Sequence, residues 1–312
     1  MNPEHPLYSL RTGVVPFLGL PLRLEPEGVP GVVLGAPFDG GVIHRPGARM
    51  GPWALRNATL GLGRSPLPLR FQGAEHEVSR RAAEGWVDGG NIPTRPFNTQ
   101  EALTAVASTL DPWVDAGALT LLLGGDHLMT LGGLRAHARK HGPLGILVLD
   151  AHPDAADGAA WGTPFHHGTW MRAALEENLV DPHRAVQVGL RAPRHDDEEI
   201  RFLLKAGVRL WTPWDLKDQR LATQLHGDIA RVGQGPAYVS IDLDVLDPSF
   251  CPAVAEPVPG GLNVMRTIAL LRQVHLWARP WVGADVMELA ATLNGAEETA
   301  LVGVHLALHL LA

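Results

Sequence analysis

The chain has 312 residues, 46% hydrophobic and 19% charged, enough for one large α/β domain or two smaller ones. Its net charge of -7, pI near 6.1 and lack of a basic stripe argue against a nucleic-acid or anionic-membrane partner. A single cysteine, Cys251, excludes an intramolecular disulfide framework and fits a reducing, cytoplasmic compartment, and no secretory leader or membrane-spanning apolar run is expected.

Residues 1–30 are proline-rich and lack a period, an irregular arm suited to covering a neighbouring segment or subunit. Gly31-Val32-Val33-Leu34-Gly35 is a short buried strand. A loop then leads to Pro52, which suits the first turn of a helix through Trp53, Ala54, Leu55 and Arg56. The stretch 60–98 is loop-rich and is expected to be mainly surface connection, with a weak strand signal at Trp86-Val87-Asp88. From residue 99 helices and strands alternate. Leu103, Val106 and Leu110 have helical spacing within 100–116, with a kink or restart expected at Pro112. Apolar strands are predicted at 118–123, 144–149, 185–190, 208–211, 237–241 and 281–284. Helices are predicted at 128–140, 198–205, 222–231, 263–275 and 297–311. Uniformly apolar strands between helices imply a parallel sheet covered on both faces. No low-complexity linker or repeat divides the chain, so one domain over 1–312 is expected. Ligands of such sheets bind beyond the carboxyl ends of the strands.

That rule gathers the polar residues. Asp150, His152 and Asp154 stand at i, i+2 and i+4 where the strand 144–149 ends, so an extended chain turns all three to one side. Ionised groups there are costly unless they are paired or bound to a cation. His127 follows the strand 118–123, Asp242 and Asp244 follow 237–241, and Glu288 closes 281–289. Singly, these have ordinary readings: a helix N-cap at Asp126, Asx turns over 242–247. Together, two histidines and four aspartates carry too much negative charge for one divalent ion and suit two. An oxygen-rich shell with two imidazoles favours Mn²⁺ foremost, whereas tetrahedral structural zinc calls for cysteine.

Gly124-Gly125-Asp126-His127, Asp150-Ala151-His152-Pro153-Asp154 and Ser240-Ile241-Asp242-Leu243-Asp244-Val245-Leu246-Asp247-Pro248 resemble the three signatures of the ureohydrolases. That family includes arginase, agmatinase, formiminoglutamase and guanidino-acid hydrolases. The resemblance spans nearly the whole chain and implies a three-layer α/β/α fold on a mostly parallel eight-stranded sheet, the arginase/deacetylase-like architecture. It implies two Mn²⁺ per subunit, one held by His127, Asp150, Asp154 and Asp242, the other by His152, Asp150, Asp242 and Asp244. A metal-bridging hydroxide would attack the guanidino carbon, releasing urea and an amine. Asp154 would accept the proton and pass it on, Glu288 matches the carboxylate that holds the guanidinium, and His167 matches a proton shuttle. The resemblance also implies a homo-oligomer, a trimer or hexamer, with a small guanidino compound as substrate.

Gly35-Ala36-Pro37-Phe38-Asp39, Arg45-Pro46-Gly47-Ala48-Arg49-Met50-Gly51-Pro52 and His167-Gly168-Thr169 are similar to the agmatinase branch. Ala156 and Phe165 stand where arginases carry asparagines for the amino-acid head group, so a substrate without that head group, such as agmatine, is expected. A guanidino-acid hydrolase of the guanidinobutyrase type is the alternative, then arginase or formiminoglutamase. Two stretches depart from the branch: Ala253-Val254-Ala255-Glu256-Pro257-Val258, and Trp170-Met171-Arg172 where Pro-Phe-Arg is usual. Phe165, Arg194 and Glu256 are therefore the candidate specificity residues, Glu256 for a distal ammonium and Arg194 for a carboxylate. A single-zinc deacetylase of related fold would need a tyrosine in a loop, and Tyr8 and Tyr238 are poorly placed for it. A non-catalytic metal-binding homologue is the remaining rival.

Overall fold

A computed structural model describes residues 15–62, 85–193, 196–277 and 281–311. Its sheet comprises β1 (Gly31–Gly35), β2 (Val87–Asn91), β3 (Leu119–Leu123), β4 (Leu144–Leu149), β5 (Val180–Val188), β6 (Arg209–Trp211), β7 (Ala237–Asp242) and β8 (Gly283–Met287). Its helices are α1 (Gly51–Ala58), α2 (Thr99–Ala116), α3 (Met129–His141), α4 (Trp170–Glu176), α5 (Glu198–Ala206), α6 (Gln219–Val232), α7 (Val264–Arg272) and α8 (Ala296–Leu311). The eight strands run in the order β2-β1-β3-β8-β7-β4-β5-β6, and every pair is parallel.

Side-chain alternation along each strand feeds two apolar layers. Leu121, Leu123, Leu147, Leu149, Val239 and Ile241 share one layer with α1, α6, α7 and α8. Leu122, Ile146, Val148 and Tyr238 share the other with α2, α3, α4 and α5. The result is the three-layer α/β/α architecture. No helix among the described residues is long and apolar enough to cross a membrane.

Two expectations are corrected. Residues 87–91 are not surface connection: they form a fully buried edge strand. Val-Asp-Gly-Gly-Asn carries no hydrophobic alternation, and an ion pair holds it instead. Asp88 accepts 2.8 Å bonds from Nε and Nη2 of Arg56 on α1, and another from the Phe17 N–H, while Asn91 takes Nη1 at 2.7 Å. Pro112 does not restart its helix; it lies inside a continuous α2. The carbonyl it leaves without a donor belongs to exposed Ser108, while Leu103, Val106, Leu110, Trp113 and Val114 stay buried along the helix. Of the 1–30 arm, residues 1–14 lie outside the described residues, and Phe17 packs fully buried beneath β2.

Candidate metal centre

β3, β8, β7 and β4 are neighbours at the middle of the sheet, and their carboxyl ends deliver His127, Glu288, Asp242 and Asp150 to one place. Strand order thus converts four distant sequence segments into one cluster. Two residues of this edge, Asp154 (φ 49°) and Glu288 (φ 68°), adopt left-handed backbone, a conformation shared by only four non-glycine residues among those described. Such backbone persists where the surroundings over-determine it, commonly at functional sites.

Nδ1 of His127 lies 3.1 Å from Asp150 Oδ2, 3.2 Å from Asp154 Oδ2 and 3.1 Å from Asp242 Oδ2. Nδ1 of His152 lies 2.9 Å from Asp244 Oδ2 and 3.6 Å from Asp150 Oδ1. Two ligand groups result, His127/Asp150/Asp154 and Asp150/His152/Asp244, and they share Asp150. Asp242 adjoins the first through His127 and sits beside Asp244, whose N–H its Oδ1 accepts at 2.8 Å.

The hydrogen-bond network sets the tautomer of His127. Its Nε2 meets Ser240 Oγ at 2.8 Å, and Ser240 itself donates to Asp285 Oδ1 at 2.7 Å, with Thr130 on Oδ2 at 2.9 Å. The imidazole proton therefore belongs on Nε2, leaving a lone pair on Nδ1. That lone pair faces three carboxylate oxygens, and Nδ1 and Asp150 Oδ2 are buried without hydrogen-bond partners. Only a proton or a cation between them relieves this arrangement. Without a cation, burial and the neighbouring Asp154 and Asp244 push Asp150 up to about 6. Burial alone would lower His127, but Asp150, Asp154 and Asp242 raise it well above its ordinary value. Six donors, two nitrogens and four carboxylates, fit hard or borderline divalent ions.

Beside the ligands, Glu288 Oε1 accepts from the His127 N–H at 2.8 Å and lies 3.1 Å from His167 Nδ1, while Glu288 Oε2 is buried with no partner. The loop after β1 supports this corner. Gly41 N–H donates to Asp126 Oδ2 at 2.7 Å, His167 N–H donates to the Gly41 carbonyl at 3.0 Å, and Ile43 N–H reaches His167 Nε2 at 3.3 Å. Burial would lower the His167 pKa, but Glu288 and then Asp154 and Asp126 outweigh it and raise it to about 9. The Ile43 contact instead fits a neutral imidazole with its proton on Nδ1, the form that nearby divalent cations favour. The whole corner opens on a cavity of about 770 Å³ whose wall includes His152, Asp154, His167, Asp242, Asp244 and Glu288.

The chain matches the family model described as the arginase family over residues 30–312. The chain belongs to the arginase family. Proclavaminate amidinohydrolase of Streptomyces clavuligerus is 36% identical over 95% of this chain and 91% of its own length. Its solved structure superposes with a TM-score of 0.81 at 34% identity, covering 99% of this chain and 98% of that one. Guanidinopropionase of Pseudomonas aeruginosa is 35% identical (96% and 91% covered), and an agmatinase of Chromobacterium violaceum 34% (96% and 88%). This arginase-family chain is accordingly a ureohydrolase-superfamily hydrolase acting on guanidino or amidino groups.

The structure brings His127, Asp150, His152, Asp154, Asp242 and Asp244 together, with His167 and Glu288 beside them. Of the specificity candidates, Glu256 lines the cavity, 3.8 Å from His44. Phe165 does not line it: its ring packs against the apolar layer on the α3 side, with the Arg135 guanidinium 5.6 Å from its centroid. The residue that replaces an arginase asparagine there faces the protein, because an apolar ring gains more from burial than from the open cleft. Arg194 lies outside the described residues. Sequence reasoning missed Ser240, which opens the third signature, Asp285, which stands three residues before Glu288, and Trp170, whose indole donates to Asp154 Oδ2 at 2.8 Å. It also missed Arg191, whose guanidinium binds the carbonyls of Asp244 and Val258 and ties the divergent 253–258 segment to the centre.

Proposed function

We propose that this protein is a binuclear manganese ureohydrolase that cleaves the guanidino group of agmatine, or a similar guanidino compound, to urea and an amine. The observation that carries the reading is the pair of ligand groups joined at Asp150, opening on one cavity with Glu288. His127, Asp150, Asp154 and Asp242 would hold one ion, and Asp150, His152, Asp242 and Asp244 the other. Bound there, two divalent cations supply a nucleophile from water near neutral pH and stabilise developing negative charge.

The rest of the chemistry belongs to this chain. Hydrolysis adds water to the guanidino carbon and must return a proton to the departing amine. Asp154, left-handed at φ 49° and on the cavity wall, takes the water's proton at its carboxylate and releases it to the leaving nitrogen. Glu288 Oε1 is committed to His127 N–H and His167, so the unpartnered Oε2 is the acceptor for a guanidinium N–H. His167 carries protons between the cavity and that corner. Holding the planar guanidinium against Glu288 aligns its carbon with the ligand cluster, which is the positioning part of the rate gain.

The distal end of the substrate meets Glu256 and Glu199, both on the cavity wall, and this supports a cationic tail as in agmatine. The similarity to guanidinopropionase supports the second reading, a guanidino-acid hydrolase. Urea release from agmatine and from guanidinobutyrate, after Mn²⁺ loading, separates the two in wild type and Glu256→Gln. Glu256→Gln should lower kcat/KM for agmatine about tenfold, the worth of one charge-assisted contact, and leave guanidinobutyrate unaffected or improved. Unchanged selectivity would show that Glu256 does not bind the substrate tail, and a wild-type preference for guanidinobutyrate would favour a guanidino-acid hydrolase.

A further inference from the structure

Trp170 is fully buried at the start of α4. Its Nε1–H donates to Asp154 Oδ2 at 2.8 Å, the same oxygen that lies 3.2 Å from His127 Nδ1. Its ring stands 4.7 Å from the His127 ring, centroid to centroid, tilted by 40°. The next residue, Met171, donates its N–H to the Asp154 carbonyl at 3.0 Å. The first turn of α4 therefore grips Asp154 by main chain and side chain at once. Asp154 needs such a grip, because its left-handed backbone at φ 49° is one a non-glycine residue holds only under constraint.

We propose that Trp170 is a positioning residue for the metal centre, fixing the Asp154 carboxylate with its indole N–H and the His127 imidazole with its ring. The inference rests on reading Asp154 and His127 as ligands of one ion. A carboxylate free to rotate about χ2 presents either oxygen in many directions. The indole N–H removes that freedom by taking one lone pair of Oδ2, so the oxygen's remaining lone pair is presented toward His127 Nδ1. The aromatic face blocks the swing of the imidazole, whose far nitrogen is already held by Ser240. Ring contact and hydrogen bond together pre-set two ligands of the same ion and none of the other. The residue is also one of the departures from the agmatinase-like pattern, and proline, usual at that place, has no N–H to give.

Groups that orient ligands from behind commonly change metal affinity by 10–100-fold when altered. The test is Mn²⁺ binding, followed by calorimetry and by loss of the free-ion paramagnetic resonance signal, in wild type, Trp170→Phe and Trp170→His. Wild type should bind two ions. W170F, which keeps a ring and loses the donor, should weaken one of the two sites about tenfold or more and leave the other unchanged. W170H, which restores a ring N–H, should recover part of that loss. Two ions bound by W170F with wild-type affinities overturn the proposal, as does an equal loss at both sites, the mark of general loosening. Fewer than two ions in wild type instead overturns the reading of the centre itself. A measurement on the unmutated chain covers the case in which W170F does not fold. Among the nine tryptophan indole signals of ¹⁵N-labelled protein, one should shift when diamagnetic Zn²⁺ is added, and Asp154→Asn should move that same signal. No responding indole overturns the proposal.

Discussion

Replacing Asp150 by asparagine distinguishes a metal centre from a buried ion-pair network, because the two predict opposite signs in metal-free protein. Asp150 is fully buried, and burial with Asp154 and Asp244 raises its carboxyl from 3.8 to about 6. An acid with a raised folded-state pKa contributes its stability at low pH and loses it as pH climbs from 3.8 through about 6. A displacement of that size corresponds to about 3 kcal/mol of destabilisation at pH 8. D150N carries no charge to desolvate, and the lost attraction to His127 offsets part of the gain. D150N should therefore be about 1–3 kcal/mol more stable than wild type in EDTA at pH 8. With Mn²⁺ at a hundredfold excess over Kd, wild type gains about 2.7 kcal/mol per ion and D150N little, so the order reverses. Urea denaturation followed by tryptophan fluorescence, with EDTA or Mn²⁺, reads both signs. A loss of about 3–5 kcal/mol by D150N in EDTA, the cost of breaking a buried ion pair, would instead mark the cluster as a metal-independent ion-pair network.

The Arg56–Asp88 pair, buried on both sides, gives the contrasting case: Arg56→Met should cost about 3–5 kcal/mol in denaturation midpoint whether or not metal is present. His137 is buried and hydrogen-bonded to Thr120 at 2.8 Å, and burial, then His141 and Lys140, lowers its pKa to about 3. The unfolded chain protonates first, so this stability is full above about 6.5 and drains as pH falls from 6.5 towards 3. Between pH 6.5 and 5 the loss is about 2 kcal/mol, and His137→Gln should flatten that slope in urea midpoints. Phe165→Ala should lower stability by about 1–2 kcal/mol through lost packing of a half-buried ring and leave KM for every guanidino substrate unchanged.

Much of the centre was legible because its ligands must follow strands, and strands of a parallel sheet announce themselves as apolar runs. Asp150, His152 and Asp154 directly follow β4, and the period of an extended chain exposed their common direction. The order of strands was not legible, and it alone brings β3, β8, β7 and β4 side by side. β2 was hidden because an arginine on α1, not an apolar pattern, pays for its burial. Pro112 shows the reverse error, a local breaker overridden by a buried face. Phe165 and Trp170 marked the reach of position matching: each stands at a place the family resemblance singles out, yet which way a ring turns depends on packing. Phe165 turned inward to Arg135, and Trp170 turned to Asp154.

Urea formed from a guanidino substrate, counted against Mn²⁺ bound per chain, tests the two-ion hydrolase itself. Metal-free protein, titrated with Mn²⁺ and assayed with agmatine and guanidino acids at each step, should release little urea at one ion. Release should rise with the second ion, level off at two, and yield one amine per urea. Full activity at a single ion would rule out a binuclear mechanism, and no urea from any of these compounds with two ions bound would rule out a ureohydrolase.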